Sequence, residues 1–295
     1  MKRYAFIVNP KSGRGDKKVL IYNLEKHARE LNFDFEVFLT LNPGHATQIA
    51  QQAIGKFDAV YAVGGDGTVN ETANGLLESK TALGIIPTGS GNGIARHLKI
   101  PMNAIEALSV LVKGEAVDID VWTAGTSLFY MLCGLGFDAH IAKKIKGIKS
   151  RGFLAYIRLV LLEFGRFKPK NVSISWDGGH YSGNPFLVNF ANGSQFGNNM
   201  KIAAKASITD GFLDLGIIER IPWQLAPEIV LRMWNGTLHN FKYYTAFRAK
   251  EFKIQTDYSG INIDGEYQNN KKEFIVKQSS EQLSVLIASG GKQLI

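Results

Sequence analysis

Two periods of apolar and polar positions alternate along the first third of the chain. Short β-type runs are followed by stretches whose apolar residues recur at helical spacing. The predicted strands are 4–8, 35–39, 59–63 and 83–86, and the predicted helices are 16–31, 46–54, 68–78 and 102–112. Thr68 is the predicted N-cap of the third helix. This βαβα order predicts a mostly parallel sheet covered by helices, a three-layer α/β domain.

The pattern changes after about residue 120. Short stretches there alternate apolar with polar positions, and Asp-Gly and Gly-Gly turn signals lie among them. The predicted strands are 171–176, 186–190, 213–219, 251–255, 273–276 and 283–288, interrupted by helices at 153–164 and 223–233. We therefore predict an α/β domain over residues 1–122 and a mainly antiparallel β-sandwich over 123–295. Packing of the extreme C-terminus on the first domain is left open.

Composition places the chain among ordinary folded proteins. Of its 295 residues, 45% are hydrophobic and 20% are charged, which excludes a disordered or fibrous protein. The single cysteine, Cys133, excludes an intramolecular disulfide framework and a Cys-rich zinc site, and it fits a cytoplasmic protein. No apolar run approaches the ~18 residues that span a bilayer.

Three glycine-rich loops follow predicted strands. Their sequences are NPKSGRG from Asn9, GGDGTVNE from Gly64 and PTGSGNG from Pro87. In a parallel sheet such loops lie at the carboxyl ends of the strands, where ligands of open α/β sheets bind. Glycines let the backbone approach a phosphate, and a helix N-terminus favours negative charge. The alternative for GGDG alone is a glycine-rich turn without a ligand.

Together with Asp264-Gly265-Glu266, these loops resemble the diacylglycerol kinase and sphingosine kinase-like lipid kinases over essentially the whole chain. The resemblance implies ATP and Mg²⁺ as cofactors and an active site in a cleft between an α/β domain and a β-sandwich. It also implies a role in lipid metabolism and phospholipid biosynthesis. The residues that it assigns to ATP are Asn9, Pro10, Lys11, Ser12, Gly13, Thr40, Gly65, Asp66, Gly67, Thr68, Val69, Asn70, Glu71 and Ser90.

The same resemblance assigns roles to several carboxylates. It makes Asp264 the general base toward a lipid hydroxyl with Glu266 nearby, places Asp66 and Asp118 in a magnesium network, and makes Asp138 face the lipid head group. From the residues alone, Asp264-Gly265 is equally a hairpin turn. Asp66 would repel a phosphate, so its expected role runs through Mg²⁺ or through orientation of the reacting end.

Two departures from the family pattern affect these expectations. In the third loop Gly93 stands where bacterial diacylglycerol kinases carry an acid, and the GSGN form is closer to sphingosine and ceramide kinases. The family's structural magnesium loop aligns with residues 206–212, where Thr209 replaces an acidic ligand. Asp210 and Asp214 are the candidate replacements.

The net charge of +8 is concentrated in one segment. Residues 143–170 contain nine basic side chains and one acid, Glu163, so this excess equals that of the whole chain. The basic side chains are Lys143, Lys144, Lys146, Lys149, Arg151, Arg158, Arg166, Lys168 and Lys170. Phe153, Leu154, Ile157, Val160, Leu161 and Phe164 recur among them at helical spacing.

Two interpretations of this segment stay open: peripheral contact with an anionic membrane, or an ordinary core-packed helix with a solvated basic flank. The first fits a lipid substrate drawn from a membrane surface and a location at the inner membrane face. Nucleic acid is not expected as a partner, because no recognition module accompanies the basic residues.

The expected activity is transfer of the ATP γ-phosphate to the hydroxyl of a lipid such as diacylglycerol, a sphingoid base or ceramide. One alternative is an NAD kinase-like enzyme, because such enzymes share GGDGT. Another is a catalytically silent lipid- or nucleotide-binding protein. The acceptor lipid and a homodimer are left open by the sequence.

Overall fold

The computed structural model describes residues 1–13, 17–145, 153–197 and 199–291. The chain forms two compact units. The first comprises Met1–Ile119 and the segment that begins at Ser280, and the second is Asp120–Ser279.

The first unit follows the predicted βαβα order. Its elements up to the unit boundary are β1 (Lys2–Val8), α1 (Lys17–Leu31), β2 (Phe33–Leu39), α2 (His45–Ala53), β3 (Ala59–Gly64), α3 (Asp66–Leu76), β4 (Ala82–Pro87), α4 (Gly93–His97), α5 (Ala104–Leu111) and β5 (Glu115–Ile119). Thr68 is not the N-cap of α3, because the helix begins at Asp66 with Gly65 as its N-cap.

The second unit is built mainly from antiparallel strands. Its strands are β6 (Trp122–Ala124), β7 (Ser127–Phe129), β8 (Leu132–Gly136), β9 (Val172–Trp176), β10 (Gly179–Gly183), β11 (Leu187–Ala191), β12 (Gln195–Gly197), β13 (Met200–Lys201), β14 (Leu213–Ile218), β15 (Tyr244–Ala249), β16 (Glu251–Thr256), β17 (Gly260–Ile263), β18 (Glu266–Asn269) and β19 (Glu273–Gln278). Its helices are α6 (Phe137–Ile145), α7 (Phe153–Phe164) and α8 (Ala226–Asn235), and 3-10 turns lie at Trp223–Leu225 and Leu238–Asn240.

The last described strand, β20 (Leu283–Ile287), belongs to the first unit. It lies in the sheet order β2-β1-β3-β4-β20-β5, parallel to β4 and antiparallel to β5. Strand β20 therefore does not extend the sandwich predicted over 123–295; it packs back on the first unit, which the prediction had left open for the extreme C-terminus. The alternation of residues along a strand does not reveal which sheet supplies its hydrogen-bonding partner.

Apolar runs explain why the first sheet is covered on both faces. Every residue of β3 and β4 is buried, as expected for central parallel strands. Helices α2 and α3 pack on each other, and so do α1 and α5. The carboxyl ends of β1, β3 and β4, which are neighbours in the sheet, therefore lie at one edge.

Two six-stranded sheets form the sandwich of the second unit. Their orders are β10-β9-β16-β19-β6-β7 and β15-β14-β11-β8-β17-β18. Trp122, Phe190 and Phe252 are buried in the core that the two sheets share. The other face of the second sheet carries a further apolar cluster, which includes residues of α6, α7 and α8. We call this sheet the helix-covered sheet.

Candidate active site

The three glycine-rich loops meet at the carboxyl edge of the first sheet. The side-chain amide of Asn9 donates a hydrogen bond to the hydroxyl of Thr68 at 3.1 Å. The hydroxyls of Ser12 and Thr88 lie 2.8 Å apart, which joins the first loop to the third. The sequence prediction that these loops converge is confirmed.

Glycine is required where the loops touch. Gly13 has a φ of +66°, and a Cβ there would overlap the carbonyl oxygen of Thr88. A Cβ on Gly65 would lie 3.3 Å from the Cα of Gly89. The backbones of the loops therefore approach each other closely at the carboxyl ends of the strands. A ligand bound there would meet backbone N–H groups rather than side chains.

Asp66 fastens the second loop to the third. Its Oδ2 accepts a hydrogen bond from the N–H of Asn92 at 2.9 Å, and its Oδ1 accepts one from the N–H of Gly93 at 2.7 Å. The side-chain amide of Asn92 in turn bonds the N–H and carbonyl of Gly89. Asn92 is thus a site residue that the sequence analysis did not select, although its place in a glycine-rich loop was a usable signal.

The other residues predicted to bind ATP differ in exposure. Pro10, Lys11, Gly13 and Ser90 are exposed on the loops, and Gly67 is exposed in the first turn of α3. Asn70 and Thr40 are half-buried, and Val69 is buried. The carboxylate of Glu71 accepts a hydrogen bond from the N–H of Ala46 at 3.2 Å and thereby caps α2. An ATP contact of Glu71 remains a prediction.

In the second unit, Asp264 and Gly265 form the two-residue turn between β17 and β18. Both have positive φ, 47° and 93°, as a tight hairpin turn requires. The carboxylate of Asp264 accepts hydrogen bonds from the backbone N–H groups of Tyr130, Met131 and Leu132 at 2.8, 2.9 and 2.9 Å. The turn interpretation is confirmed, and the carboxylate is also held in a fixed orientation.

Asn192 supports the same segment from its carbonyl side, and the sequence analysis missed it. Its amide nitrogen donates to the carbonyls of Asp120 at 2.9 Å and Tyr130 at 2.7 Å, and its oxygen accepts from the indole N–H of Trp122 at 2.9 Å. The residue is fully buried. An asparagine directly after the buried strand β11 was the available signal.

Asp138 lies buried in the first turn of α6. Its Oδ2 accepts a hydrogen bond from the amide of Asn262 at 2.9 Å. Burial raises the pKa of Asp138 to about 6, although the bond from Asn262 opposes the shift. The approach depends on Gly134, because a Cβ there would overlap the carboxylate.

Asn189 extends this polar group across the helix-covered sheet. Asn189, Gly134 and Asn262 are direct partners on the neighbouring strands β11, β8 and β17. Among the residues that the structure describes, neither amide atom of Asn189 has a hydrogen-bond partner, although the side chain is buried. A buried unsatisfied amide costs about 1–3 kcal/mol, so a polar group or water is expected beside it.

The candidate metal ligands do not gather into a cluster. Within the described ranges, no three His, Cys, Asp or Glu side chains lie close enough to hold a metal ion together. Asp118 is exposed on β5 in the first unit. Mg²⁺ is usually held by one or two carboxylates together with waters and phosphates. A magnesium role of Asp66 and Asp118 remains a prediction.

Asp210 and Asp214 do not fit a structural magnesium site. Arg248 forms an ion pair with Asp210, and its Nε lies 4.0 Å from Oδ1 of Asp214. Burial raises the pKa of Asp214, and Arg248 opposes this shift. A guanidinium therefore supplies the positive charge that the resemblance assigns to a cation at this loop.

The basic segment has several internal partners. Glu163 accepts from His140 at 2.6 Å and lies 3.6 Å from the ammonium of Lys144. The ammonium of Lys143 lies 5.0 Å from the ring centre of Tyr267. Lys146, Lys149 and Arg151 lie outside the described residues, as do the side chains of Phe153, Leu154 and Ile157. Val160 and Phe164 pack inward, whereas Leu161 is exposed.

Comparison with known proteins agrees with this geometry. Residues 3–124 match the model of the diacylglycerol kinase catalytic domain, and residues 132–285 match that of the YegS C-terminal NAD kinase beta sandwich-like domain. A diacylglycerol kinase of Bacillus subtilis strain 168 is 30% identical over 278 residues, which are 90% of this chain and 90% of the relative. The chain belongs to the diacylglycerol kinase family.

Other relatives in this lipid kinase family extend the match. A probable YegS-like lipid kinase of Klebsiella pneumoniae strain 342 is 31% identical, covering 70% of this chain and 71% of its own. The crystal structure of a putative diacylglycerol kinase from Bacillus anthracis superposes with a TM-score of 0.77 and 28% identity, covering 97% of both chains.

These matches confirm the predicted α/β unit followed by a β-sandwich, and the predicted transferase class. In the part of the chain that the structure describes, no helix is both long enough and apolar enough to cross a membrane.

Proposed function

We propose that this lipid kinase transfers the γ-phosphate of ATP to the hydroxyl of a membrane lipid such as diacylglycerol, a sphingoid base or ceramide. The observation that carries the proposal is that three glycine-rich loops contact one another at the carboxyl ends of β1, β3 and β4. The names of the relatives, which are diacylglycerol and lipid kinases, support a lipid over a dinucleotide as acceptor.

In this proposal the first unit binds the nucleotide. The backbone N–H groups of the loops beside Gly65 and Gly89 bind phosphate oxygens, and the exposed ammonium of Lys11 adds positive charge. Mg²⁺ neutralises charge on the transferred phosphoryl group in such reactions, and Asp66 and Asp118 are the carboxylates proposed to hold it. The bonds from Asn92 and Gly93 orient Asp66 for that role.

The second unit supplies the groups proposed to act on the lipid. Asp264 accepts the proton of the lipid hydroxyl as its oxygen attacks the γ-phosphorus, and the bond from that phosphorus to the bridging oxygen breaks so that ADP leaves. Glu266 is nearby in sequence on β18. The three N–H groups that hold Asp264 fix the direction of its carboxylate. Asp138, beside the unsatisfied amide of Asn189, is proposed to contact the polar head group.

The lipid is proposed to come from a membrane surface, with the protein at the cytoplasmic face of the inner membrane. The whole chain has a net charge of +8, and residues 143–170 alone carry an excess of the same size. This charge favours attraction to anionic head groups, at about 1 kcal/mol for each basic residue near the surface. Contact with the bilayer is proposed to be peripheral.

The decisive experiment incubates the full chain with γ-labelled ATP and candidate lipids in mixed vesicles. A parallel assay of NADP formation tests the NAD kinase alternative. We expect a labelled lipid with wild-type protein, and mass analysis identifies it. Lys11→Ala is expected to raise the KM for ATP about tenfold, which is a loss of about 1.4 kcal/mol of binding.

Lys56→Ala is the matched control, because Lys56 is also an exposed lysine and lies in the turn before β3, at the amino end of the parallel strands. It should leave the KM for ATP unchanged. Absence of label in every lipid, with ATP still bound, would instead support the silent binding protein. Robust NADP formation would replace the lipid by a dinucleotide.

A further inference from the structure

Exposed apolar side chains concentrate on one side of the second unit. Six of the eight large hydrophobic residues exposed there, among those described, lie on α7, on α8 or in the turn before α8. They are Leu161, Leu162, Trp223, Val230, Leu231 and Trp234. We call these six residues the docking surface.

Helix α8 is apolar on two opposite faces. Ile229 and Met233 are buried in the cluster on the helix-covered sheet. Val230, Leu231 and Trp234 share the outward face, and Leu231 and Trp234 are 60% and 52% exposed. A helix that only packs against a core would carry polar residues at these outward positions.

Helix α7 repeats this arrangement. Its inward residues Leu159 and Phe164 pack in the same cluster as the inward residues of α8. Leu161, 65% exposed, and Leu162 point outward beside Arg158. Because both helices pack through their inner faces on the same side of one sheet, their outer apolar faces are directed to the same side of the unit.

A cleft joins the two helices. It has a volume of about 440 Å³ and is bordered by the end of α7 and by the turn that leads into α8. Its lining combines apolar rings with one guanidinium: Phe164, Phe167, Phe186, Arg220 and Trp223. Trp223 is 69% exposed at its edge. Trp is the residue type that concentrates at the boundary between hydrocarbon and head groups.

Charge identifies the partner of this surface. The acids of segments 158–170 and 219–242 are Glu163, Glu219 and Glu228, and each is bonded within the protein, to His140, Tyr181 and Arg232. By contrast, basic side chains of the same segments are exposed: Arg158, Arg166, Lys168, Arg220 and Lys242. An apolar stripe with Trp and a basic surround is typical of helices that lie in the interface of an anionic bilayer.

We propose that the docking surface inserts into the head-group region of an anionic phospholipid bilayer, with Arg220 at the phosphate level. This locates the membrane contact on the described outer faces of α7 and α8 and on the turn before α8. The proposal depends on the proposed function only for the choice of a bilayer as the partner. Docking itself requires neither ATP nor an acceptor lipid.

The test measures binding of the full chain, without ATP, to phosphatidylcholine vesicles with and without phosphatidylglycerol. Leu231→Ser and Trp234→Ser are each expected to weaken binding to the anionic vesicles about tenfold. Ile275→Ser is the matched control, because Ile275 is an exposed apolar residue of the same unit on β19, in the other sheet. It should leave binding unchanged.

Two further measurements separate insertion from simple attraction. Lipids brominated near the head group should quench tryptophan fluorescence in wild type, and the Trp223→Phe/Trp234→Phe double variant should lose this quenching. Of the two tryptophans that remain, Trp122 is fully buried, and Trp176 is half-buried on β9 in the other sheet. Arg220→Gln should reduce the preference for phosphatidylglycerol, whereas Lys253→Gln, an exposed lysine on β16, should not.

Several outcomes overturn the proposal. They are absence of vesicle binding, equal loss with Ile275→Ser, and retained binding in both α8 variants. A fourth is a concentration-dependent oligomer that these variants dissociate while vesicle binding persists, which would make the surface an interface between copies of this chain. Vesicle binding that depends on the docking surface, without labelling of any lipid by ATP, would support docking while the proposed function fails.

Discussion

At the scale of single residues, the effect of burial on the ionisation of a side chain is clearest at Asp138. Burial raises its pKa to about 6 from an ordinary 3.8, so the fold favours the protonated carboxyl. Folding is therefore opposed by this residue once pH exceeds its pKa in the unfolded chain, and the penalty is complete above its pKa in the folded chain.

Asp138→Asn removes this titration. We expect the free energy of unfolding of the variant to rise relative to wild type as pH increases from about 4 to about 7, by roughly 3 kcal/mol at most. Urea unfolding across that pH range measures the difference. Asp177→Asn, at an exposed turn between β9 and β10, controls for the loss of one negative charge. A difference independent of pH would mean that the pKa of Asp138 is the same in the folded and in the unfolded chain.

The candidate site residues could be selected from the sequence, but their hydrogen-bonding partners could not. Asp66 and Asp264 stand out because of their glycine neighbours, yet both carboxylates bind backbone N–H groups of distant segments. The donors are backbone N–H groups of residues such as Gly93 and Leu132, whose side chains give no indication of this hydrogen bond. For the same reason, replacing either aspartate disturbs the fold together with any chemistry.

At the scale of elements, the long periodic segments could be predicted and the ends of elements could not. The helix at 153–164 and the strands at 59–63 and 251–255 agree with the structure to within one residue. The start of α3 differed because Thr68 uses its hydroxyl to accept a bond from Asn9. A side chain recruited by another loop is not available as a cap.

The acidic side chains in and next to the loop between β13 and β14 are paired with an arginine of a neighbouring strand. Arg248 on β15 pairs with Asp210 and Asp214, and Asp120 accepts from the N–H of Gly211 at 2.8 Å. We therefore expect that a chelator leaves the melting temperature of the wild-type protein unchanged. Arg248→Ala should lose about 1 kcal/mol of stability, and added Mg²⁺ should restore part of it.

Lys250→Ala is the matched control for this experiment. Both cations lie over the ring of Phe212, at 5.0 Å for Arg248 and 5.1 Å for Lys250, but the two aspartates form their ion pairs with Arg248. Thermal unfolding with Mg²⁺ and with chelator compares the three proteins. A lower melting temperature of the wild type in chelator would contradict the assignment.

At the scale of the whole molecule, the return of the chain to the first sheet was the feature that sequence patterns left open. Strand β20 supplies the hydrogen-bonding partner of β5, and Leu283 and Val285 are fully buried. Alternation of apolar residues identified the strand at 283–288 but carried no information on its neighbour.

Val285→Ala should therefore loosen the first unit selectively. The lost methyl groups cost about 2 kcal/mol, and amide exchange measured on peptides should become faster in β4 and β5. Exchange in β11 and β14 should stay unchanged. Ser284→Ala, one position earlier in the same strand, controls for the substitution. Equal acceleration in both units would show that β20 is coupled to the sandwich as strongly as to its own sheet.

The placement of β20 also has a consequence for biosynthesis. The ribosome releases β1 to β4 early, but the strand that lies between β4 and β5 emerges only after the entire sandwich has been translated. Until then the nascent first sheet exposes an edge beside β4, which invites pairing with other chains. A nascent-chain chaperone that shields this edge would improve the yield of soluble protein more than one that acts after release.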